Sequence, residues 1–296
     1  IESDEFIESA DFNDFNFRVT LKNEETISKN GKLGQDIFEK WNSSKKIFRY
    51  INRVSFKEAI TISHSWGEVK NTLPYQFDLS IVRSSNKNEK GWLIKSYDIA
   101  ESNVFDNPET YEIEVEVLAQ ANKLYKTAPE LSNGLQKMVK HVLCGLQKTN
   151  FPVSYVEQRE TLKDYHRLLF ESDYNKRGEK YMPKDRLYPN DFIGPSLVTL
   201  GVQNIGPLNP DIITPNITEP YSYCVTEKAD GDRHLLYVNG VGKIYLINTS
   251  MSVIFTGAKT NEEKCFNSLL DGELILHNKK NQFINIFAAF DIYYVN

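Results

Sequence analysis

A lysine, two aspartates, a glycine and an arginine fall within the eight residues Thr226-Glu227-Lys228-Ala229-Asp230-Gly231-Asp232-Arg233. Alternating apolar runs, Tyr221–Val225 and Leu235–Val238, flank them. Strand, tight turn and strand is the expected local structure, with Gly231 supplying the unusual backbone angles that a turn beside a ligand needs. A lysine fixed at such a turn, Lys228, can act as a nitrogen nucleophile toward phosphorus. Its ordinary pKa of about 10.4 leaves almost none of it neutral at pH 7, so a neighbouring cation or metal has to lower that value. Arg233, planar, forked and permanently charged, is a candidate clamp for phosphate or ribose oxygens.

Two further stretches follow at the spacing of a small sheet, Leu269-Leu270-Asp271-Gly272-Glu273-Leu274 and Phe287-Ala288-Ala289-Phe290-Asp291-Ile292. In this order the three resemble motifs I, III and IIIa of the covalent nucleotidyltransferases, the superfamily of mRNA guanylyltransferases and of DNA and RNA ligases. The resemblance implies that Lys228 attacks the α-phosphorus of GTP, expels pyrophosphate and holds GMP as a phosphoramidate until an RNA diphosphate takes it up. It implies a nucleotide-binding set of Glu227, Lys228, Arg233, Glu273 and Phe290. Within it, Glu273 meets the ribose hydroxyls or a metal, and Phe290 stacks on guanine. A strand-end carboxylate and a buried strand aromatic stay open as readings of those two. Asp230 and Asp271 are read as shaping their Asp-Gly turns. Phe192-Ile193-Gly194-Pro195-Ser196-Leu197-Val198-Thr199-Leu200 is similar to the lead-in segment of capping guanylyltransferases, which ligases do not share. Thr249 stands where that family often has an arginine, which leaves one phosphate contact unassigned.

The first half of the chain must position a different set. Phe15–Lys22 alternates strictly, with Arg18, Thr20 and Lys22 on one face. Phe48–Phe56 puts Arg49, Arg53 and Ser55 together, Tyr75–Val82 puts Asp78 with Ser80, and Tyr111–Val117 aligns Glu112, Glu114 and Glu116. A row of like charges is unfavourable on a packed face. It suits either a solvated face or a polar cavity in which a divalent cation and basic partners neutralise it. A closed barrel with acidic and basic walls would hold a metal–triphosphate and position water at the γ-phosphate.

Glu112–Glu116 resembles the C-terminal glutamate strand of the metal-dependent triphosphate-tunnel RNA triphosphatases of fungi and large DNA viruses. Arg49–Phe56 is similar to their basic strand, and Phe77-Asp78-Leu79 to the strand after it. The resemblance implies triphosphate binding by Arg18, Lys22, Arg49, Arg53 and Asp78, and Mg2+ or Mn2+ held by Glu112, Glu114 and Glu116. Ile51 stands where the family commonly has lysine. The family's first Glu-x-Glu strand has no counterpart near Glu2, Asp4 and Glu5, so this stretch is expected to be an internal segment of a longer polypeptide.

The whole composition fits that picture. At 296 residues and 34.2 kDa the chain can hold two domains. A net charge of −5 excludes a global basic field, so any RNA contact must be local. Cys144, Cys224 and Cys265 lack Cys-x-x-Cys spacing, which suits a reducing compartment and argues against structural zinc. No apolar run approaches about 18 residues, and no signal peptide is visible. Leu131, Leu135, Met138, Val139, Val142 and Leu146 repeat as the core face of a helix, and His141 within it is read as structural. Residues 175–186 read as a solvated loop, and the glycines and prolines from Phe192 to Pro220 as an extended lead-in.

The expected fold class is therefore α+β. An antiparallel β-barrel (triphosphate tunnel) over residues 1–150 lacks its first glutamate strand. It precedes, over 151–296, the N-terminal part of a nucleotidyltransferase (ligase-type, ATP-grasp-like) antiparallel β domain, incomplete at its C-terminus. The leading function is that of a bifunctional capping enzyme, RNA 5′-triphosphatase and guanylyltransferase, of mimivirus-like, asfarvirus-like or poxvirus-like large DNA viruses. Its expected partners are triphosphate-ended RNA, GTP and a methyltransferase domain or subunit, without a membrane. Its expected location is the cytoplasm, a viral factory or a virion. An ATP-dependent RNA or DNA ligase and a non-catalytic scaffold of a capping assembly are the alternatives. Ending just after motif IIIa, the span by itself is expected to bind GTP poorly and transfer little.

Overall fold

A computed structural model describes residues 9–21, 26–64, 67–118, 121, 125–195, 199–206, 217 and 228–295, with backbone alone over 58–64 and 67–73. Lys22, Glu227 and the strand expected at Tyr221–Val225 lie outside the described residues. The chain divides into two compact units, one made of residues 1–9 with 20–143 and the other of residues 10–19 with 144–296.

The first unit is built on three antiparallel strands in the order β3 (Arg49–His64), β4 (Gly67–Ser84), β5 (Thr110–Val117). Period-two alternation sorts their side chains. The register sets Arg53 opposite Ser80 and Ser80 opposite Glu112, then Ser55 opposite Asp78 and Asp78 opposite Glu114. One face thus collects the charged residues. The other carries Tyr50, Val54, Phe56, Leu79, Ile81, Tyr111 and Ile113, all exposed. The expected closed barrel is not formed among the described residues: three strands at about 4.8 Å spacing cannot curl shut, and closure takes about eight. The helix Ala128–Gln147 forms as the apolar spacing expects, burying Met138 and Leu143. It also buries Gly134, where an added Cβ would stand 2.2 Å from the Tyr75 hydroxyl.

In the second unit a short hairpin, β1 (Ala10–Phe12) and β2 (Phe17–Val19), replaces the long strand expected over 15–22. Asn16 takes a φ of 55° in the turn, and the Phe12 and Phe17 rings stack at 4.6 Å. A five-stranded antiparallel sheet follows. Its strands are β6 (Asp232–Val238), β7 (Lys243–Asn248), β8 (Val253–Lys259), β9 (Ser268–His277) and β10 (Phe283–Tyr294), ordered β10-β9-β6-β7-β8. Leu235, Tyr237, Tyr245, Ile247, Val253 and Leu269 form its core with Tyr165 and Leu187. The helix Tyr155–Lys176 supplies Tyr165. Its one-sided apolar pattern is weak, but Ser154-Tyr155-Val156-Glu157 is a helix-start signature, and the Ser154 hydroxyl accepts from the Glu157 N–H at 3.1 Å. Among the described residues no helix is long and apolar enough to cross a membrane.

Candidate active site

The alternation that buries Leu235 and Leu269 carries the same sheet face outward into a polar site. Leu235 pairs with Asp271 and Arg233 with Glu273, so one step along the strands turns core into ion pair. Asp271 is fully buried and accepts from Arg233 Nε at 3.1 Å, Arg233 Nη2 at 2.6 Å and the Tyr293 hydroxyl at 2.7 Å. Arg233 Nη1 donates to the Pro195 carbonyl at 2.6 Å. Its guanidinium lies 5.5 Å from the Phe192 ring and 6.0 Å from the Phe290 ring. Burial and the Asp271 carboxylate pull the Tyr293 hydroxyl above its ordinary range.

This geometry corrects the reading of Asp271 as a turn residue. It lies inside β9 as the counter-ion of Arg233, because a buried guanidinium without a carboxylate would be too costly. Arg233 in turn spends three of its donors on the protein, so it first organises strands and lead-in segment. Phe290 is 57% exposed and not the buried strand aromatic that the sequence left open. It lines a shallow concavity of about 450 Å³ with Leu270, Ala289, Asp291 and Ile292.

One residue pair further out, Glu273 Oε2 accepts from the backbone N–H of Gly231 at 2.9 Å. Gly231, expected to supply unusual backbone angles, does not take a positive φ. It is required because an added Cβ would stand 2.6 Å from the Leu274 carbonyl oxygen. The Glu273 carboxylate therefore ties β9 to the turn that bears Lys228. Lys228 is exposed, with Nζ 2.7 Å from Asp230 Oδ1 and 3.3 Å from the Ala229 carbonyl. The hydrogen bond and charge of Asp230 raise the lysine pKa, and Lys228 lowers that of Asp230. That direction is opposite to what nucleophilic attack needs.

In the first unit the charged face is a lattice of cross-strand pairs. Arg49 Nη2 donates to both Glu112 oxygens at 2.8 and 2.7 Å. Arg53 bonds across all three strands, to Ser80 Oγ at 3.0 Å, the buried Asp78 at 2.9 Å and Glu114 at 2.6 Å. Gln76 Nε2 also donates to Asp78, at 3.0 Å. Glu116 makes no ion pair among the described residues. Two of the three glutamates in the row are thus answered by arginines two strands away. Among the described residues no three His, Cys, Asp or Glu side chains come together so as to hold a metal ion. The three carboxylates expected to hold an ion share one face of β5, and Glu112 and Glu114 each pair with an arginine. Arg18 does not join this sheet; it sits in β2 of the second unit, bonded twice to Asp11 at 2.5 and 2.9 Å.

Sequence reasoning missed Tyr293 and Glu157. Glu157, half-buried, accepts from Lys243 Nζ at 2.8 Å and the Tyr245 hydroxyl at 2.7 Å, fastening its helix to β7. Burial raises its pKa, but those two donors outweigh burial and leave it lowered.

The lysine turn, the Asp-Gly strand β9 and the exposed aromatic lie within a span that has known counterparts. Residues 214–296 match the family model of the mRNA capping enzyme, catalytic domain. The chain is also similar to a protein named "Probable mRNA-capping enzyme" from Acanthamoeba polyphaga mimivirus, 27% identical over 185 residues. That alignment covers 62% of this chain and 12% of the relative, so the chain spans about an eighth of that protein. No solved structure matches the chain significantly.

Proposed function

We propose that this chain takes part in mRNA 5′ capping by guanylyl transfer, with Lys228 as the nucleophile. The observation that carries the reading is the Glu273–Gly231 hydrogen bond, which binds the lysine turn to the second Asp-Gly strand inside the span matched to capping enzymes. In the proposed reaction the neutral Lys228 amine forms an N–P bond to the α-phosphorus of GTP. The bond from that phosphorus to the bridging oxygen breaks, and pyrophosphate leaves. A terminal oxygen of RNA 5′-diphosphate then displaces the lysine nitrogen, giving the capped end and free Lys228. Arg233 acts as a positioning residue, Phe290 offers its exposed ring to the base, and Glu227 completes the nucleotide set.

Attack requires the Lys228–Asp230 pair to open when nucleotide binds, because the pairing favours the charged amine. Mg2+ or Mn2+ would enter with the nucleotide, since such ions commonly keep waters and take one or two carboxylates plus phosphate oxygens. Asp230, bonded to Lys228, and Glu273, bonded to the Gly231 N–H, are the carboxylates that would take the ion.

The first unit contributes, in this proposal, one wall of an RNA 5′-triphosphatase site. Arg49 and Arg53, with Lys22 as a further candidate, would take phosphate oxygens, and Asp78 would hold Arg53. Glu112 and Glu114 would exchange an arginine for a phosphate-borne ion, and Glu116 would join them on it. The test is incubation of the full-length protein with radiolabelled GTP or ATP and a divalent ion. An acid-labile, alkali-resistant adduct from GTP, absent in Lys228→Ala, is expected. Labelling by ATP alone would move the chain to the ligases. Absence of any adduct, with phosphate release from triphosphate-ended RNA unaffected by Glu114→Ala, would leave the scaffold reading that Ile51 and Thr249 suggest.

A further inference from the structure

We infer that the loops at the end of the first unit's sheet marked by Arg49 and Ser84 form a binding surface for single-stranded RNA. The capping reading supplies the polymer's identity; the surface itself is argued from its own side chains. Two aromatic rings there each carry a lysine ammonium: Lys45 Nζ lies 5.2 Å from the Tyr97 ring centre and Lys46 Nζ 5.0 Å from that of Trp41. A third, Trp92, is 71% exposed. The backbone holds these groups in place. Lys46 and Ser96 exchange hydrogen bonds at 2.7 and 2.9 Å, and Lys87 bridges Leu93. Asn88 Oδ1 accepts from the Lys90 and Trp92 N–H groups at 3.0 and 2.9 Å, fixing the turn that presents the indole.

The free cations of the loops select the partner. Among the loop carboxylates, Glu101 accepts from the Tyr97 N–H at 2.8 Å, Asp98 from the Glu101 N–H at 2.8 Å, and Glu109 pairs with Arg83 at 2.8 Å, while Glu89 and Asp106 form no ion pair among the described residues. Lys45, Lys87, Lys90 and Lys95 have no carboxylate partner among the described residues. A protein-docking patch would have to desolvate those ammonium groups, and lysine is depleted at the cores of such interfaces. A single-stranded nucleic acid uses both features at once, phosphates on the free cations and bases on the flat rings. Lys46 precedes Arg49 by three residues of extended chain, about 10 Å. A strand lying on Trp41 and Tyr97 would therefore lead its 5′ end toward the Arg49–Glu112 pair.

The experiment uses the full-length protein and a fluorescently labelled, triphosphate-ended single-stranded RNA, with Trp92→Ala/Tyr97→Ala, Trp92→Phe/Tyr97→Phe and Lys45→Glu/Lys95→Glu variants. The alanine pair is expected to weaken binding by about 30-fold or more, at 1–3 kcal/mol for each of two stacked bases. The phenylalanine pair should stay within about twofold. The charge pair should reduce the slope of log affinity against log salt by about 0.7 for each phosphate that is no longer neutralised. Lysyl-GMP labelling should be unchanged in all three, which separates failure of the surface from failure of the guanylyl-transfer reading. Unchanged RNA affinity and salt slope in the alanine and charge pairs would overturn the inference. So would equal binding of duplex RNA, or a changed oligomeric state in the alanine pair with RNA affinity intact. Surface-dependent RNA binding without any lysyl-GMP would uphold it while removing the guanylyl-transfer proposal.

Discussion

Asp271, fully buried in β9, accepts from Nε and Nη2 of the Arg233 guanidinium at 3.1 and 2.6 Å. That pair, with Tyr293 as its third member, joins β6, β9 and β10 just below the turn that bears Lys228.

Asp271→Asn is therefore expected to destabilise the sheet by about 3 kcal/mol, since it leaves Arg233 largely buried without its counter-ion. Tyr293→Phe should cost about 1–2 kcal/mol. An Asp271→Leu/Arg233→Met double variant should lose less than Asp271→Asn, because it leaves no orphaned charge. Urea unfolding followed by hydrogen exchange in β6 and β9 measures all three. Equal losses in the single and double variants would contradict the argument.

At Gly231 the constraint is space. Gly231→Ala places a methyl group 2.6 Å from the Leu274 carbonyl, so the turn has to move away from Glu273. A displacement of about 1 Å at a reacting group commonly costs about 100-fold in rate. Lysyl-GMP formation should fall by that order while β6–β9 exchange protection changes little.

The Asp230 pairing sets a pH dependence. Because Asp230 raises the Lys228 pKa, Asp230→Asn lets it fall and enlarges the neutral fraction at any given pH. The rise of adduct formation with pH should shift to lower pH in that variant. A profile that stays put, at unchanged GTP affinity, would show that Asp230 does not control the amine.

Acid should unfold the second unit in two stages. Burial holds the His166 pKa below its ordinary value, so as pH falls below about 6.5 the unfolded chain binds a proton that the folded one refuses. Stability is lost from there down to the folded pKa. Glu157 and Asp191 lie below the ordinary carboxylate range, so their contribution is complete above the unfolded value and disappears as pH drops through the folded one. Glu157→Gln should flatten the lower limb, and His166→Phe the upper, in denaturant titrations across pH.

Arg49 and Glu112 are both exposed at the end of the charged face, with side-chain exposures of 42% and 36%. Glu112→Gln should change stability by no more than about 1 kcal/mol. Any loss of manganese-dependent phosphate release in that variant then reports chemistry, not folding.

Much of this was present in the chain itself. Alternation alone put Arg49 with Arg53, Asp78 with Ser80, and Glu112 with Glu114 each on one face of their own strand, and the three short motifs marked the lysine turn and two strands of its sheet. Side-chain period along a strand is local, so it can be read without knowing the neighbours. Which residue answers which charge is not local. Whether the carboxylate row meets a metal or an arginine, whether Asp271 shapes a turn or neutralises Arg233, and whether Gly231 is needed for its backbone angle or for the approach of Leu274 all depend on strand register and burial. Those are set by packing between segments some forty residues apart in the case of Arg233 and Asp271. The sequence determined the alternating faces and the candidate nucleophile. Only the tertiary structure decided their partners, because the electrostatic and steric terms that choose among partners depend on distances the linear order does not contain.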